Sequence, residues 1–227
     1  MLLSVIMPCY NEAESLPLIL AKVRAVPIAK EIIVVDDCSS DNTPDVLAAE
    51  LLNDPRMRVV RHDRNRGKGA AVRTGIAQAS GDIVIIQDAD LEYDPNDYHE
   101  VVGPIMDGRV NVVFGSRFMG RHTGMYFWNA LGNKFLTFLT NFLFNCWISD
   151  METCYKAFRA DIIKNIPLES NDFRIEPEIT AKILLRKHRI YEVPVSYIGR
   201  TYEEGKKMKP SQGFWAIWAL FKYRFFA

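Results

Sequence analysis

Cysteine is scarce in this chain of 227 residues. The four present, Cys9, Cys38, Cys146 and Cys154, form no Cys-x-x-Cys pair. That spacing excludes a disulfide-framed scaffold and a thiolate zinc site, and it fits a reducing, cytoplasmic compartment. Histidine is equally sparse, with four residues scattered and none at ligand spacing, so a structural zinc site is not expected. Surplus charge of either sign is missing too. Lys+Arg and Asp+Glu number 28 each, whereas a general nucleic-acid binder carries a basic excess. Nucleic acid is therefore not an expected partner. No secretory leader is expected, because Met1 runs directly into an apolar segment. Internal repeats and low-complexity linkers are absent. With 48% hydrophobic residues, the length suits one domain, with at most a small appendage.

What is there is an alternation of short apolar runs and helical segments. Leu2 to Met7, Glu31 to Val35, Arg58 to Arg61, Ile83 to Ile86 and Val110 to Phe114 read as strands. Between them, helices are expected after Asn11, after Thr43-Pro44, over Ala70–Ser80 and after Pro95. Asn11 is expected to cap the first, with Glu12 and Glu14 in its opening turn. Near-continuous apolar strands alternating with helices predict an α/β fold, a parallel sheet covered on both faces. Ligands of such sheets bind beyond the carboxyl ends of the strands. Pro8-Cys9-Tyr10, Asp36-Asp37 and Asp88-Ala89-Asp90 all fall there.

The last of these clusters carries the most chemistry. Gln87-Asp88-Ala89-Asp90-Leu91-Glu92 directly follows the strand Ile83–Ile86. Three carboxylates at the end of one buried strand repel each other unless a cation offsets them. Hard oxygen ligands suit Mg²⁺ or Mn²⁺, ions that keep positions open for substrate phosphates. Asn65-Arg66-Gly67-Lys68-Gly69 forms a tight turn, but it has neither phosphate-loop nor Gly-x-Gly-x-x-Gly spacing.

The second half is less regular. Met125 to Trp147 is long and apolar, yet Asn129, Asn133, Thr137, Asn141 and Asn145 recur every four residues. Such a stripe on one face predicts an amphipathic helix, broken near Gly132, rather than a lipid-spanning one. A further helix is expected over Phe173–Arg186 and a strand over Ile190–Val195. The terminal stretch from Ser211 carries Phe214, Trp215, Trp218, Phe221, Phe225 and Phe226 with Lys222 and Arg224. Aromatic residues among cations suit a membrane interface; a helix docked on the core, or one side of a homodimer, is the alternative. The expected division is a catalytic domain over 1–210 and an amphipathic aromatic helix over 211–227.

Four motifs, in order, resemble those of family 2 glycosyltransferases. They are Ser4-Val5-Ile6-Met7-Pro8-Cys9-Tyr10-Asn11-Glu12, Val34-Val35-Asp36-Asp37-Cys38-Ser39-Ser40-Asp41, Asn65-Arg66-Gly67-Lys68-Gly69 and Asp88-Ala89-Asp90. The branch most resembled is that of dolichol-phosphate mannose synthase-like enzymes. The resemblance implies the GT-A nucleotide-sugar-binding fold. It also implies transfer of a sugar from a GDP- or UDP-linked donor to a polyprenyl phosphate, by a peripheral enzyme on the inner membrane face. Pro8, Tyr10, Glu12 and Asp37 would hold the nucleoside. Lys68, Asp88 and Ala89 would contact the donor. Asp90 would be the principal metal ligand, with Glu92, where the branch usually has Gln, as the second. Arg117, Arg121, Arg200 and Lys206 would hold the acceptor phosphate. Arg200 begins a segment, Arg200-Thr201-Tyr202-Glu203-Glu204-Gly205-Lys206-Lys207, similar to one that closes over the phosphates. Where the branch has Ser-Gly before a Phe-Arg pair, this chain has Cys154-Tyr155.

A phosphate acceptor is already an anion and needs no base, so inverting displacement requires only cations that align it. A hydroxyl acceptor, as in polysaccharide or glycolipid synthesis, would need a general base, and Asp150 is the candidate. A nucleotidyltransferase would need an N-terminal Gly-rich triphosphate loop, which is absent. A non-catalytic nucleotide-binding subunit would not need the carboxylates. A membrane-protein partner remains an expected possibility for a chain without a spanning helix.

Overall fold

The computed structural model describes residues 1–200 and 211–226. Lys206 and the rest of the 201–210 segment lie outside the described residues. The first strand, β1 (Leu3–Cys9), is followed by α1 (Leu16–Ala25), β2 (Lys30–Asp36), α2 (Thr43–Asn53), β3 (Met57–Arg61), α3 (Lys68–Gln78) and β4 (Ile83–Ile86). A single 3₁₀ turn (Pro95–Asp97) leads to α4 (Tyr98–Met106) and β5 (Val112–Ser116). Next come β6 (His122–Thr123), α5 (Phe127–Phe144), β7 (Lys156–Arg159), α6 (Ala160–Lys164) and α7 (Ile175–Leu185). The chain then runs through β8 (Tyr191–Pro194) and β9 (Tyr197–Ile198) to α8 (Ser211–Phe225).

Among the described residues, seven strands form one sheet in the order β3-β2-β1-β4-β7-β5-β8. All neighbours are parallel except β7, which runs antiparallel to both β4 and β5. β6 and β9 pair separately. The apolar strands are buried on both sides. Val5, Met7, Ile32, Val34, Ile83 and Ile85 join α1 and α4 in one core. Their chain neighbours Ile6, Ile33, Val35, Val84 and Ile86 join α3, α6 and α7 in the other. Continuous apolar runs in the sequence therefore reflect two-faced burial.

Two local expectations require correction. Asn11 does not cap α1. It sits in left-handed backbone, at φ 53°, and its Oδ1 accepts from the Ser40 amide at 2.8 Å. Helix α1 starts five residues later, without Glu12 or Glu14 in its first turn. Helix α5 does not break at Gly132, which stands exposed inside a continuous helix.

The polar stripe of α5 faces inward. Asn133, Thr137 and Thr140 are buried. Thr137 Oγ1 accepts from the Met151 amide at 3.0 Å. The Asn141 side chain receives the Ile148 amide at 3.0 Å and donates to the Ile148 carbonyl at 2.8 Å. The aromatic face looks outward instead, with Trp128 76%, Phe138 66% and Phe142 75% exposed. Helix α8 packs on α5 and α7 through Ala216, Ala219, Leu220 and Tyr223. It too leaves aromatic side chains outward, among them Phe214, Trp215 and Trp218. Among the described residues, no helix is long and apolar enough to cross a membrane.

A buried acid ties the early strands together. Glu31 accepts from Ser4 Oγ at 2.5 Å, the Ser80 amide at 2.6 Å and the Gly81 amide at 3.1 Å, and it pairs with Arg58. Burial alone would raise its pKa, but these hydrogen bonds outweigh it and lower it from 4.5 to about 2. The depressed value stabilises the fold fully above pH 4.5, and that contribution is lost as pH falls through about 2. Glu31→Gln should cost about 2–3 kcal/mol at neutral pH. It should also flatten the loss of stability below pH 4.5, measured by urea denaturation across pH.

Candidate active site

A cavity of about 290 Å³ opens at the carboxyl ends of β1, β2 and β4. Pro8, Tyr10, Glu12, Asp37, Lys68, Asp88, Ala89, Asp90, Glu92, Arg117 and Arg200 all line it. The motifs read from the sequence are thus brought together by strand order. Arg121 is exposed and is not part of the lining, and Asp150 is not part of it either.

Each carboxylate that follows β4 already has a cation. Asp88 is paired with Lys68 at 2.9 Å. Asp90 Oδ2 accepts from Arg200 Nη2 at 2.6 Å. Glu92 Oε1 accepts from the Arg200 amide at 3.0 Å, and Glu92 Oε2 from the Tyr197 hydroxyl at 3.1 Å. Arg200 Nη1 also reaches Glu12 Oε1 at 3.2 Å. One guanidinium therefore spans three acids from two separate loops. Burial works against its charge, but Asp90, Glu12 and Glu92 outweigh it, so its pKa rises further. Burial, with Asp88 and Glu92 alongside, pushes the Asp90 carboxyl up to about 7.

Among the described residues, no three His, Cys, Asp or Glu side chains gather into a ready-made metal cage. Asp90 and Glu92 instead converge on Arg200. Two carboxylates facing a bound cation still suit Mg²⁺ or Mn²⁺, which bind through one or two carboxylates and take substrate phosphates as further ligands. The donor set fits such an ion once Arg200 turns away.

Asp37 is a scaffold as well as a lining residue. Its Oδ1 accepts from the Arg66 amide at 2.8 Å and contacts His62 Nδ1 at 2.6 Å, and its Oδ2 accepts from the Gly67 amide at 2.7 Å. This holds the turn that starts α3. Gly67 lies at φ +91°, and a Cβ there would come within 2.4 Å of the Asn171 carbonyl; at Gly69 one would meet the Ser170 carbonyl at 2.4 Å. The two glycines allow the turn to sit against residues 170–172, which delivers Lys68 to the cavity. There Lys68 lies 3.4 Å from Glu176 and 5.8 Å from the centre of the Phe173 ring.

Arg117 and Asp150 form a closed pair. Arg117 Nε and Nη2 donate to the two Asp150 oxygens at 2.8 Å each, and the Arg117 amide adds a third bond at 3.0 Å. Asp150 is fully buried. The sequence-level candidacy of Asp150 as a base therefore meets a physical obstacle: the carboxylate is saturated and out of the cavity's reach. Its visible work is to aim Arg117, whose guanidinium also lies over the Tyr197 ring at 5.3 Å.

Sequence reasoning missed Glu152, Cys154, Phe173, Glu176 and Tyr197, all lining residues. They come from turns, a helix and strand β9, distant in the chain. Only the position of Glu152 and Cys154 beside Asp150 offered a local signal. If Asp150 serves to hold Arg117, Asp150→Ala will destabilise the protein by about 3–5 kcal/mol by leaving a buried cation unpaired. Thermal unfolding checks this; a base exposed to substrate would leave stability nearly unchanged.

Solved structures of glucosyl-3-phosphoglycerate synthase from Mycobacterium tuberculosis share the fold. One, in complex with Mn²⁺, UDP and glucosyl-3-phosphoglycerate, superposes with a TM-score of 0.74 at 20% identity, covering 97% of this chain and 79% of that one. Another holds Mg²⁺ and UDP. In sequence, an undecaprenyl-phosphate mannosyltransferase of Micrococcus luteus is 27% identical over 220 residues, 88% of this chain and 85% of that protein. A dolichol-phosphate mannosyltransferase of Pyrococcus furiosus is 30% identical over 212 residues, 91% of this chain but 59% of the longer relative. The model of glycosyl transferase family 2 matches residues 4–166, a span that runs from β1 past Asp150 and takes in most of the cavity wall. The chain belongs to glycosyl transferase family 2.

Proposed function

We propose that this glycosyltransferase moves a sugar from a GDP- or UDP-linked donor to a polyprenyl phosphate, working peripherally at the cytoplasmic face of a membrane. The observation that carries the reading is the Arg117–Asp150 pair. It occupies both Asp150 oxygens, which disfavours that residue as a base, and it leaves a fixed guanidinium in the cavity wall. A fixed cation suits an acceptor that is already ionised, since a phosphate monoester carries about −1.5 to −2 charge at neutral pH. The names of the bacterial and archaeal relatives support the same acceptor class.

In this reading, Tyr10 and Pro8 flank the nucleoside, with Asp37 beside it in the cavity wall. Lys68 and Asp88 border the diphosphate. Asp90 and Glu92 would hold Mg²⁺ or Mn²⁺, and a bound ion would neutralise the departing diphosphate as a Lewis acid. Arg200 then exchanges its carboxylate partners for phosphate oxygens. Arg117 aligns the acceptor behind the anomeric carbon, and displacement in line inverts that centre. Arg121, which stands outside the cavity wall, and Lys206 would add positive charge for the acceptor phosphate. Cations and aromatic side chains together on the outer faces of α5 and α8 suit the headgroup layer of a bilayer.

Purified protein incubated with Mn²⁺, undecaprenyl phosphate and radiolabelled sugar nucleotides should pass label into organic extracts. Asp90→Ala should lower that transfer at least 100-fold. Nucleoside diphosphate released only with a soluble hydroxyl acceptor would overturn the lipid reading. The surface contact has its own check. Protein should sediment with vesicles containing anionic phospholipid, and the triple change Trp128→Ser, Phe138→Ser, Phe142→Ser should abolish sedimentation without lowering thermal stability. Each aromatic side chain withdrawn from water is worth about 1.5–3 kcal/mol.

A further inference from the structure

The floor of the cavity contains polar atoms that the proposed handling of nucleoside and phosphates does not use. Glu152 Oε1 is buried and has no hydrogen-bond partner among the described residues; the same holds for Glu176 Oε1. Both side chains line the cavity. Glu176 is 3% exposed, its Oε2 is bound to Lys156, and its Oε1 has only the Lys68 ammonium at 3.4 Å. An unsatisfied buried carboxyl oxygen is costly. Such atoms persist at sites where a ligand completes the bonding.

The position of Glu152 is rigidly set by its neighbours. Asp150 is fixed by Arg117, and the Met151 amide by Thr137 of α5. The Cys154 amide donates to the Tyr93 hydroxyl at 3.1 Å, and the Tyr155 ring stacks on Tyr93 at 4.6 Å. Lys156 is bound to Glu176. A turn held on both sides presents one carboxyl to the cavity with little freedom left to lose on binding.

We propose that Glu152, with Glu176 and Lys68 beside it, forms the subsite that recognises hydroxyl groups of the transferred hexose. Sugar hydroxyls donate to carboxyl oxygens, so the two unused oxygens of the floor meet complementary groups, while Lys68, held by Asp88, borders them. Two acids with unsatisfied oxygens suit hydroxyl donors better than an anionic phosphate. Burial raises the Glu152 carboxyl to about 7, a rise that Lys156 and Arg117 only partly oppose. A carboxyl balanced near neutrality both donates and accepts, and discriminates against a sugar lacking the matching hydroxyl. The inference rests on the glycosyltransfer reading and names the part of the donor that this floor selects.

The test is calorimetric titration in Mn²⁺ of UDP, GDP, UDP-glucose and GDP-mannose into wild type, Glu152→Ala and Glu152→Gln. For the preferred donor, deoxy-sugar analogues are added. Glu152→Ala is expected to weaken the sugar nucleotide at least tenfold and to leave the parent nucleoside diphosphate within twofold. One deoxy analogue should bind wild type at least tenfold more weakly than the full sugar, yet bind Glu152→Ala no more weakly. Glu152→Gln, which retains a donor and an acceptor, should recover part of the loss. Equal effects of Glu152→Ala on sugar nucleotide and nucleoside diphosphate, or none on either, would overturn this assignment alone. So would intact donor binding in Glu152→Gln with transfer to a hydroxyl acceptor abolished, because that pattern marks a base. Failure of wild type to bind any of the four nucleotides would overturn the glycosyltransfer reading together with it.

Discussion

Charge neutralisation beyond the end of β4 organises this molecule. Asp88, Asp90 and Glu92 leave a strand buried on both faces, and like charges so placed cannot persist without cations. The chain supplies them from far away in sequence: Lys68 from the start of α3 and Arg200 from beyond β9. The Gly67–Gly69 turn, its docking on residues 170–172 and the clamp of Glu92 on Tyr197 and Arg200 all serve that one requirement.

A second layer of the design is the separation of holding from reacting. Asp150 and Glu31 are acids that the chain uses internally, one to aim an arginine and one to join strands, and Asp37, though it lines the cavity, also holds a turn. Asp90, Glu92 and Glu152 face the cavity. The division cannot be inferred from residue type, since all are carboxylates. It follows from the number of donors surrounding each. Asp150 is saturated by a single bidentate partner, whereas Glu152 meets no donor among the described residues.

Much of this was legible before the structure. The strands β1 to β4 could be read because burial on both faces leaves unbroken apolar runs, and the site because their polar ends share one edge of a parallel sheet. Strand β7 escaped because it is four residues long and bounded by Lys156 and Arg159, so no alternation develops. Asn11 misled because a residue type suited to capping is equally suited to left-handed backbone. Asp150 looked like a base because its partner Arg117 lies 33 positions away, a separation no local pattern reports. The stripe on α5 was found, but not the groups it meets. Periodicity identifies a face without saying which way it turns, and here backbone groups of residues 148–151 claimed the polar side.

That inverted helix has a colloidal consequence. A polar-in, aromatic-out segment lowers the solubility of the correctly folded protein rather than of its unfolded chain. In dilute aqueous buffer the native molecule carries its own adhesive strip, so self-association would rise with concentration while unfolding remains unchanged. Mild detergent would disperse such assemblies without loosening the sheet, and stabilising the core would not help. Difficult behaviour during purification would then report on the outer surface of α5 and α8, not on a defect of folding.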